Sequence, residues 1–372
     1  MDLEFSEEQQ MIKDMARSIL DEHSSVEAVR QIEDDARGYS EALWEQLGES
    51  GLLGLTIPTE HGGGGQTLFE AALVYEELGR TLATVPHFVS AVMSAGILNE
   101  AGSDAQKSEW LPRIASGQGI FTLAWLEPER GYGPVGVQLE AKAVGDTFVL
   151  SGTKQHVYFG SAADQLLVLA RSEAGIDIFV VDAKADGLSM KQLLSQSGDA
   201  QYRVNFDNVT VSASARVGAA GSGWETFSTV MNDGIVLLAS QAVGGAQQAL
   251  DITSEYMKVR TQFDKPLAAF QSLAHYMADA STNIEGGRMI VHEAAWTRSQ
   301  GRSIKRLAPM AKLFCCDTYT QVTRTCEQLW GGVGFTLEYD VQLYFRRAKQ
   351  LELSWWDSPY LEELVAADVL DS

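Results

Sequence analysis

Cysteine is scarce in this chain. Three thiols, Cys315, Cys316 and Cys326, serve 372 residues. An odd count with no secretory leader ahead of it reads as free thiols, not as a disulfide framework. Cys315 and Cys316 are adjacent and cannot comfortably share one metal. The histidines, His23, His61, His87, His156, His275 and His292, nowhere recur three or four residues apart, so no metal site is predicted. Positive charge is also short: 28 Lys and Arg stand against 50 Asp and Glu, a formal net charge of −22. That deficit argues against nucleic acid and against an anionic membrane, both of which select for basic surfaces. It reads as a solvated acidic surface. No run reaches about 18 apolar residues, so no membrane-spanning helix is predicted. The opening MDLEFSEEQQ is acidic and polar, unlike a signal peptide, and a cytoplasmic location is expected.

Hydrophobic residues make up 45% of the chain, enough for a large core, and the length suggests two or three domains. Residues 1–118 have helical patterning. FSEEQQMIKDMARSILDEH places Ser6 as an N-cap, with Met11, Ile12, Met15, Ile19 and Leu20 at helical spacing. SEALWEQLGESGLLGL, FEAALVYEELGRTLATV, VSAVMSAGILNEAG and KSEWLPRIASGQG read as further helices. Pro58 and the glycines 62–65 make TIPTEHGGGG a loop. No Lys-Ser/Thr follows those glycines, so they are not a phosphate loop. At 119–216 the texture changes to short β-branched and aromatic runs, FTLAWL, TFVLSG, QLLVLAR, IDIFVVD and YRVNFDNVTVS. They follow one another without helices between, which predicts a largely antiparallel, barrel-like domain. Residues 217–372 return to helix in four long runs, the last of them YDVQLYFRRAKQLEL.

Two short motifs interrupt those helices. RTQFDKP (260–266) follows the long first run, with Gln271 shortly after. An arginine there complements the negative end of a helix, or reaches an anion. QLWGGVGF (328–335) sets an amide before two glycines, either a helix cap or a place where a polar ligand approaches the backbone closely.

Taken in order, GLLGLTIPTEHGGGG, LEPERGYG (126–133), the helix leading into RTQFDKP, QLWGGVGF and EYDVQLYFRRAK resemble the acyl-CoA dehydrogenase family over essentially the full length. The resemblance implies an α+β fold: an N-terminal α-helical domain (1–118), a central β-barrel (119–216) and a C-terminal four-helix bundle (217–372). It implies tetramers, an acyl-CoA substrate, electron-transferring flavoprotein as acceptor, and flavin adenine dinucleotide (FAD) held between subunits. Arg260, Gln262, Phe263, Gln271, Gln328, Gly331 and Gly332 would reach the adenosine and pyrophosphate end of a neighbour's FAD.

The catalytic positions depart from that pattern. Most members carry a base glutamate in a Tyr-Glu-Gly-Thr turn, and counting from RRAK places it on Trp355. The alternative base position, on the long helix, falls on Gly234, with Ile235 where an arginine usually follows. Of the flavin-facing Thr and Ser in Thr-Glu-Pro-x-x-Gly-Ser, this chain has Leu126 and Tyr132; for the later Trp-Ile-Thr it has His156, Val157 and Tyr158. His156 reads as a packed, hydrogen-bonded residue. Asp357 and Asp233 are the nearest carboxylates, each off register and one methylene shorter than glutamate. A turn or cap is expected for Asp357, and an N-cap at a helix start for Asp233. The chain thus resembles the base-lacking partner in α2β2 members, many tied to steroid degradation, in which a catalytic subunit carries the glutamate. The alternatives are a self-sufficient homotetramer using an Asp base and an assembly protein without flavin. Trp355 and Trp356 would fill the vacated cleft or face an interface.

Overall fold

A computed structural model describes residues 4–33, 35 and 37–370. Helices α1 (Glu7–His23), α2 (Val26–Glu33), α3 (Glu41–Glu49), α4 (Leu68–Arg80), α5 (Ala95–Ala101) and α6 (Asp104–Ala115) come first. Strands β1 (Phe121–Ala124), β2 (Glu140–Val144), β3 (Thr147–Tyr158), β4 (Gln165–Ser172), β5 (Gly175–Asp182), β6 (Leu188–Leu193), β7 (Gln201–Ser212) and β8 (Arg216–Val217) follow. Next come α7 (Gly223–Val259), the hairpin β9 (Thr261–Gln262) and β10 (Lys265–Pro266), α8 (Gln271–Ser299), α9 (Leu307–Trp330), α10 (Val341–Leu353) and α11 (Ser358–Leu370).

The chain forms two compact units. The first joins residues up to Val29, Thr67–Ala83 and Ile235 onward. In it, Ser6 caps α1 as the sequence predicts: its hydroxyl accepts from Gln9 N–H while the Gln9 amide returns the bond. Ile12, Ala16 and Leu20, four apart, are the buried face of α1. The α4 and α7 backbones lie nearly in contact because glycine stands where they cross. A Cβ on Gly79 would lie 1.9 Å from the Gln241 carbonyl, and one on Gly244 would lie 1.8 Å from that of Glu76. Glu77, buried beneath α1, is clasped by Arg17 (3.0 and 2.8 Å) and Arg80 (2.6 Å).

The second unit joins Arg30–Gln66 and Thr84–Gly234. Its sheet runs β6-β7-β3-β2-β4-β5-β8, with β1 beside β4. Pairing is antiparallel except for β1–β4 and the single β2–β4 contact, so the predicted antiparallel character is largely present. Inside it Lys154, fully buried, donates to Glu127 (2.7 Å) and to the Trp125 carbonyl (3.0 Å). Glu127 also accepts from the Gln138 and Leu139 N–H groups, both at 2.8 Å. Burial holds the Lys154 ammonium down at about 8 against its partner's pull.

Three elements escaped the periodicity. α2 is only eight residues long. α11 starts straight after the tryptophan turn, where the sequence pattern predicts the last helix to be over. Phe88–Ser94, expected as ordinary helix, is π-helical, and the Ser94 hydroxyl donates to the Val89 carbonyl five residues back (2.6 Å).

Candidate functional site

The first unit gathers the motif residues on an exposed rim. α7 ends at Val259, with the Arg260 N–H bonded to the Tyr256 carbonyl, and the chain turns into the β9–β10 hairpin. Phe263 (φ 51°) and Asp264 (φ 63°) form its tip. Both centres need the left-handed conformation that Asn-Gly usually supplies, and Phe263 is 86% exposed. A bulky aromatic held in strain and open to water is a costly arrangement for stability alone. The last turn of α9 is drawn to the last turn of α7 by a parallel stack of Tyr256 on Trp330, with centroids 4.0 Å apart. Trp330 also donates to the Thr253 hydroxyl at 3.0 Å. Beyond the stack Gly331 (φ 69°) caps α9, as predicted, and nothing crowds Gly331 or Gly332. Arg260, Gln262, Gln271, Gln328, Gly331 and Gly332 are all exposed. A guanidinium, three amides and bare backbone form a donor set suited to a pyrophosphate and a nucleoside. The Tyr256–Trp330 stack left no sequence signal beyond two aromatics near helix ends.

Glu327, next to Gln328, was also missed. It is 2% exposed and its Oε1 has no partner. Burial raises its carboxyl from 4.5 to about 7, and the negative end of α9 opposes its ionisation further.

The turn after α10 holds two consecutive left-handed tryptophans, Trp355 (φ 56°) and Trp356 (φ 73°), both buried. Such backbone costs roughly 1–3 kcal/mol per residue. Lys312 pins it: the fully buried ammonium donates to the Leu351 carbonyl (3.0 Å) and to the Trp356 carbonyl (2.8 Å). Burial lowers the Lys312 pKa, and among the described residues no ion pair to it is formed. Trp356 meets Tyr360 edge-on at 5.4 Å. Asp357 accepts from the Tyr360 N–H (3.1 Å) and so opens α11, the cap role its turn chemistry suggests. Position 355, which the resemblance aligns with a base, carries an indole.

In the second unit, Gly234, which the resemblance aligns with the other base position, has close side-chain neighbours. A Cβ on Gly234 would lie 2.8 Å from the Met93 sulfur and 3.1 Å from the Phe88 ring, both carried by the π-helical stretch. A larger residue there requires the ends of those two side chains to shift. Asp233 is not at a helix start: it lies eleven residues into α7, because the apolar pattern begins at Gly223 and not after the aspartate. Tyr132 packs on Trp125 (5.9 Å) and Trp125 on Phe227 (5.0 Å), so position 132, which the resemblance aligns with a flavin-side serine, carries a packed ring. Tyr158 is buried, its carbonyl accepting from the Thr122 hydroxyl at 2.5 Å. These residues do not fit the isoalloxazine end of FAD, whereas the rim of the first unit fits the adenosine and pyrophosphate end. His156 was expected to be packed; it is hydrogen-bonded to Gln201 (2.6 Å) but exposed, since a bulge at φ 54° lifts it from the ladder. No cluster able to hold a metal occurs among the described residues, nor a helix long and apolar enough to cross a membrane.

Comparison with known proteins matches this architecture throughout. The N-terminal, middle and C-terminal acyl-CoA dehydrogenase domain models match residues 6–118, 122–209 and 221–354. The short-chain specific acyl-CoA dehydrogenase of Clostridium acetobutylicum is 29% identical over 363 residues, 95% of each chain. A variant of the Tcur3481–Tcur3483 steroid ACAD superposes with a TM-score of 0.89 at 30% identity, covering 98% of both chains. The ChsE4–ChsE5 complex from Mycobacterium tuberculosis gives 0.92 at 27% identity over 100% of both. The chain belongs to the acyl-CoA dehydrogenase family, oxidoreductases acting on CH–CH bonds, and has that family's fold of helical, β and helical domains.

Proposed function

We propose that this chain is the base-lacking subunit of a heteromeric, FAD-dependent acyl-CoA dehydrogenase, completing the FAD site of a catalytic partner. The observation that carries this reading is that neither base position holds a carboxylate: one is a buried tryptophan, the other a glycine. Trp355 is buried in a pinned turn, and Gly234 lies against Met93 and Phe88. Neither place can present a carboxylate to an acidified C–H, which general-base catalysis requires. Bound in the partner, FAD supplies the hydride acceptor. On this side Arg260 and Gln328 would pair with the pyrophosphate, Gln262 and Gln271 with nucleoside oxygens, and Phe263 would stack on adenine. Gly331 and Gly332 would let the backbone approach. The Tyr256–Trp330 stack would hold the two halves of the rim together. The similarity to two proteins named as two-component assemblies, one a steroid ACAD, supports this arrangement and a steroid-derived acyl-CoA as substrate. On this reading the assembly is a tetramer that passes electrons to an electron-transferring flavoprotein, and the domains divide at 118/119 and 216/217.

Absorbance tests it. Purified alone, the chain is expected to be colourless. Co-expressed with a family member that retains the glutamate, it should yield a yellow complex with one FAD per pair of unlike chains. Arg260→Ala in this chain should then cut FAD retention by the partner. A chain that is yellow alone and dehydrogenates a thioester would overturn the reading.

A further inference from the structure

The outer face of the second unit's sheet carries a charge arrangement that folding alone does not favour. In the β6–β7 ladder Lys191 lies directly opposite Arg203. Like charges facing each other across an antiparallel pair destabilise it, and acids outnumber bases 50 to 28 in this chain. Both side chains are exposed, and neither forms an ion pair or side-chain hydrogen bond among the described residues. Their register neighbours on the same face, Ser189, Leu193, Gln201, Asn205 and Thr153, bring no carboxylate.

On the other side of Arg203 the β3 strand bulges, so that Gln155 and His156 together face it. A relay fixes His156. Asp199, buried, accepts from the Ser195 and Ser197 hydroxyls and from the Gln201 amide nitrogen. The Gln201 oxygen must then face His156, and Nδ1 is the ring nitrogen that donates to it, at 2.6 Å. His156 is exposed, and its Nε2 makes no hydrogen bond among the described residues. Asp199 is turned to these three neutral donors and, among the described residues, forms no ion pair with Lys191 or Arg203. Lys191, Arg203 and His156 thus form a row across three strands, about 10 Å long at ordinary strand spacing. Leu194, just past the end of β6, is fully exposed.

We propose that this face of β6, β7 and β3 docks an acidic protein segment, one that lays two or three carboxylates across the strands. Charge complementarity identifies the occupant: unpaired cations on an otherwise acidic molecule orient an acidic partner while the remaining surface repels it. An open sheet face suits a polypeptide, because small ligands are held in concave sites. Leu194 adds apolar contact at the edge. The proposal stands on Lys191 and Arg203, which the base-lacking reading does not use; His156 is the one residue the two share.

Fluorescence anisotropy on the full chain tests it, with labelled hexaglutamate as probe and hexaglutamine as control, at a low ionic strength of about 20 mM. Hexaglutamate is expected to bind and hexaglutamine is not. The Lys191→Gln/Arg203→Gln double variant should lose about tenfold in affinity, the sum of two exposed charge pairs. Its melting temperature should equal or exceed that of the wild type, because a repulsive pair is relieved. Arg203→Lys, which keeps the charge, should retain binding. Lys184→Gln/Lys305→Gln makes the same change in net charge elsewhere and should leave affinity unaltered. Absence of hexaglutamate binding, or an equal loss in that control, would overturn the proposal. So would displacement of the peptide by equimolar pyrophosphate, which would assign a small-anion site. Concentration-dependent self-association lost in the Lys191/Arg203 double variant would assign the face to a second copy and also overturn it.

Discussion

Glu327 shows how much one side chain can carry without a signature in the sequence. A glutamate in the last turn of a helix looks like any surface acid; only the folded chain makes it 2% exposed with an unpartnered oxygen. Its carboxyl titrates near 7 in the fold and near 4.5 when exposed. The sign follows from proton counts: between those values the folded state holds more protons than the unfolded state. The stability this carboxyl supports is therefore fully present below about pH 4.5, declines as pH rises to 7, and is flat above. Glu327→Gln should abolish the decline. Urea unfolding of both proteins at pH 5 and pH 8 is expected to show the variant gaining on the order of 2 kcal/mol relative to wild type at the higher pH. Parallel pH profiles would show that Glu327 is solvated in solution. The tryptophans are the opposite case. Their oddness was plain in the sequence, but their left-handed backbone was not, because nothing local asks a tryptophan for positive φ.

The elements around that turn depend on a single ion. Lys312 belongs to α9, and its two acceptors close α10 and open the way to α11, so one ammonium ties three helix ends. Sequence reading passed over it, since APMAKLF presents the lysine as one polar residue in an apolar helix. It found α7, α8, α9 and α10 because each repeats its apolar positions over several turns. It lost α2 and α11, the first too short for a period to register, the second masked by SWWDSP, which reads as a stop. It also took the π-helical stretch for ordinary helix, because the hydroxyl of Ser94 bonding back to Val89 is not a matter of periodicity. Lys312→Met keeps the volume and removes the donors, leaving two buried carbonyls without them. It should destabilise the chain by about 2–4 kcal/mol, one desolvation penalty per carbonyl. It should also shift tryptophan emission to the red as the turn loosens. Native stability with unshifted emission would mean that packing of Trp355 and Trp356 suffices to hold the strained turn.

Over the whole molecule, order of motifs was the most legible feature and the state of the site the least. RTQFDKP and QLWGGVGF each read weakly alone, yet their order along a helix–strand–helix chain pointed to the family that the domain models match. That Gly234 lies against Met93 and Phe88 could not be read, because those residues lie about 140 positions away and meet it only through the fold. Net charge is the one global property that composition fixed outright, and it has a consequence for stability. A charge of −22 repels itself in the compact state. Raising NaCl shortens the screening length from about 30 Å at 0.01 M to about 3 Å at 1 M, so the repulsion should fade. Differential scanning calorimetry at fixed pH should show the melting temperature rising by several degrees over that range. The same salt should weaken hexaglutamate binding at Lys191 and Arg203, because there the charges attract. The two responses are opposite in sign and come from one molecule, which separates a general salt effect from the local one. A melting temperature that stayed flat or fell with NaCl would mean that the acidic side chains are already compensated within the fold.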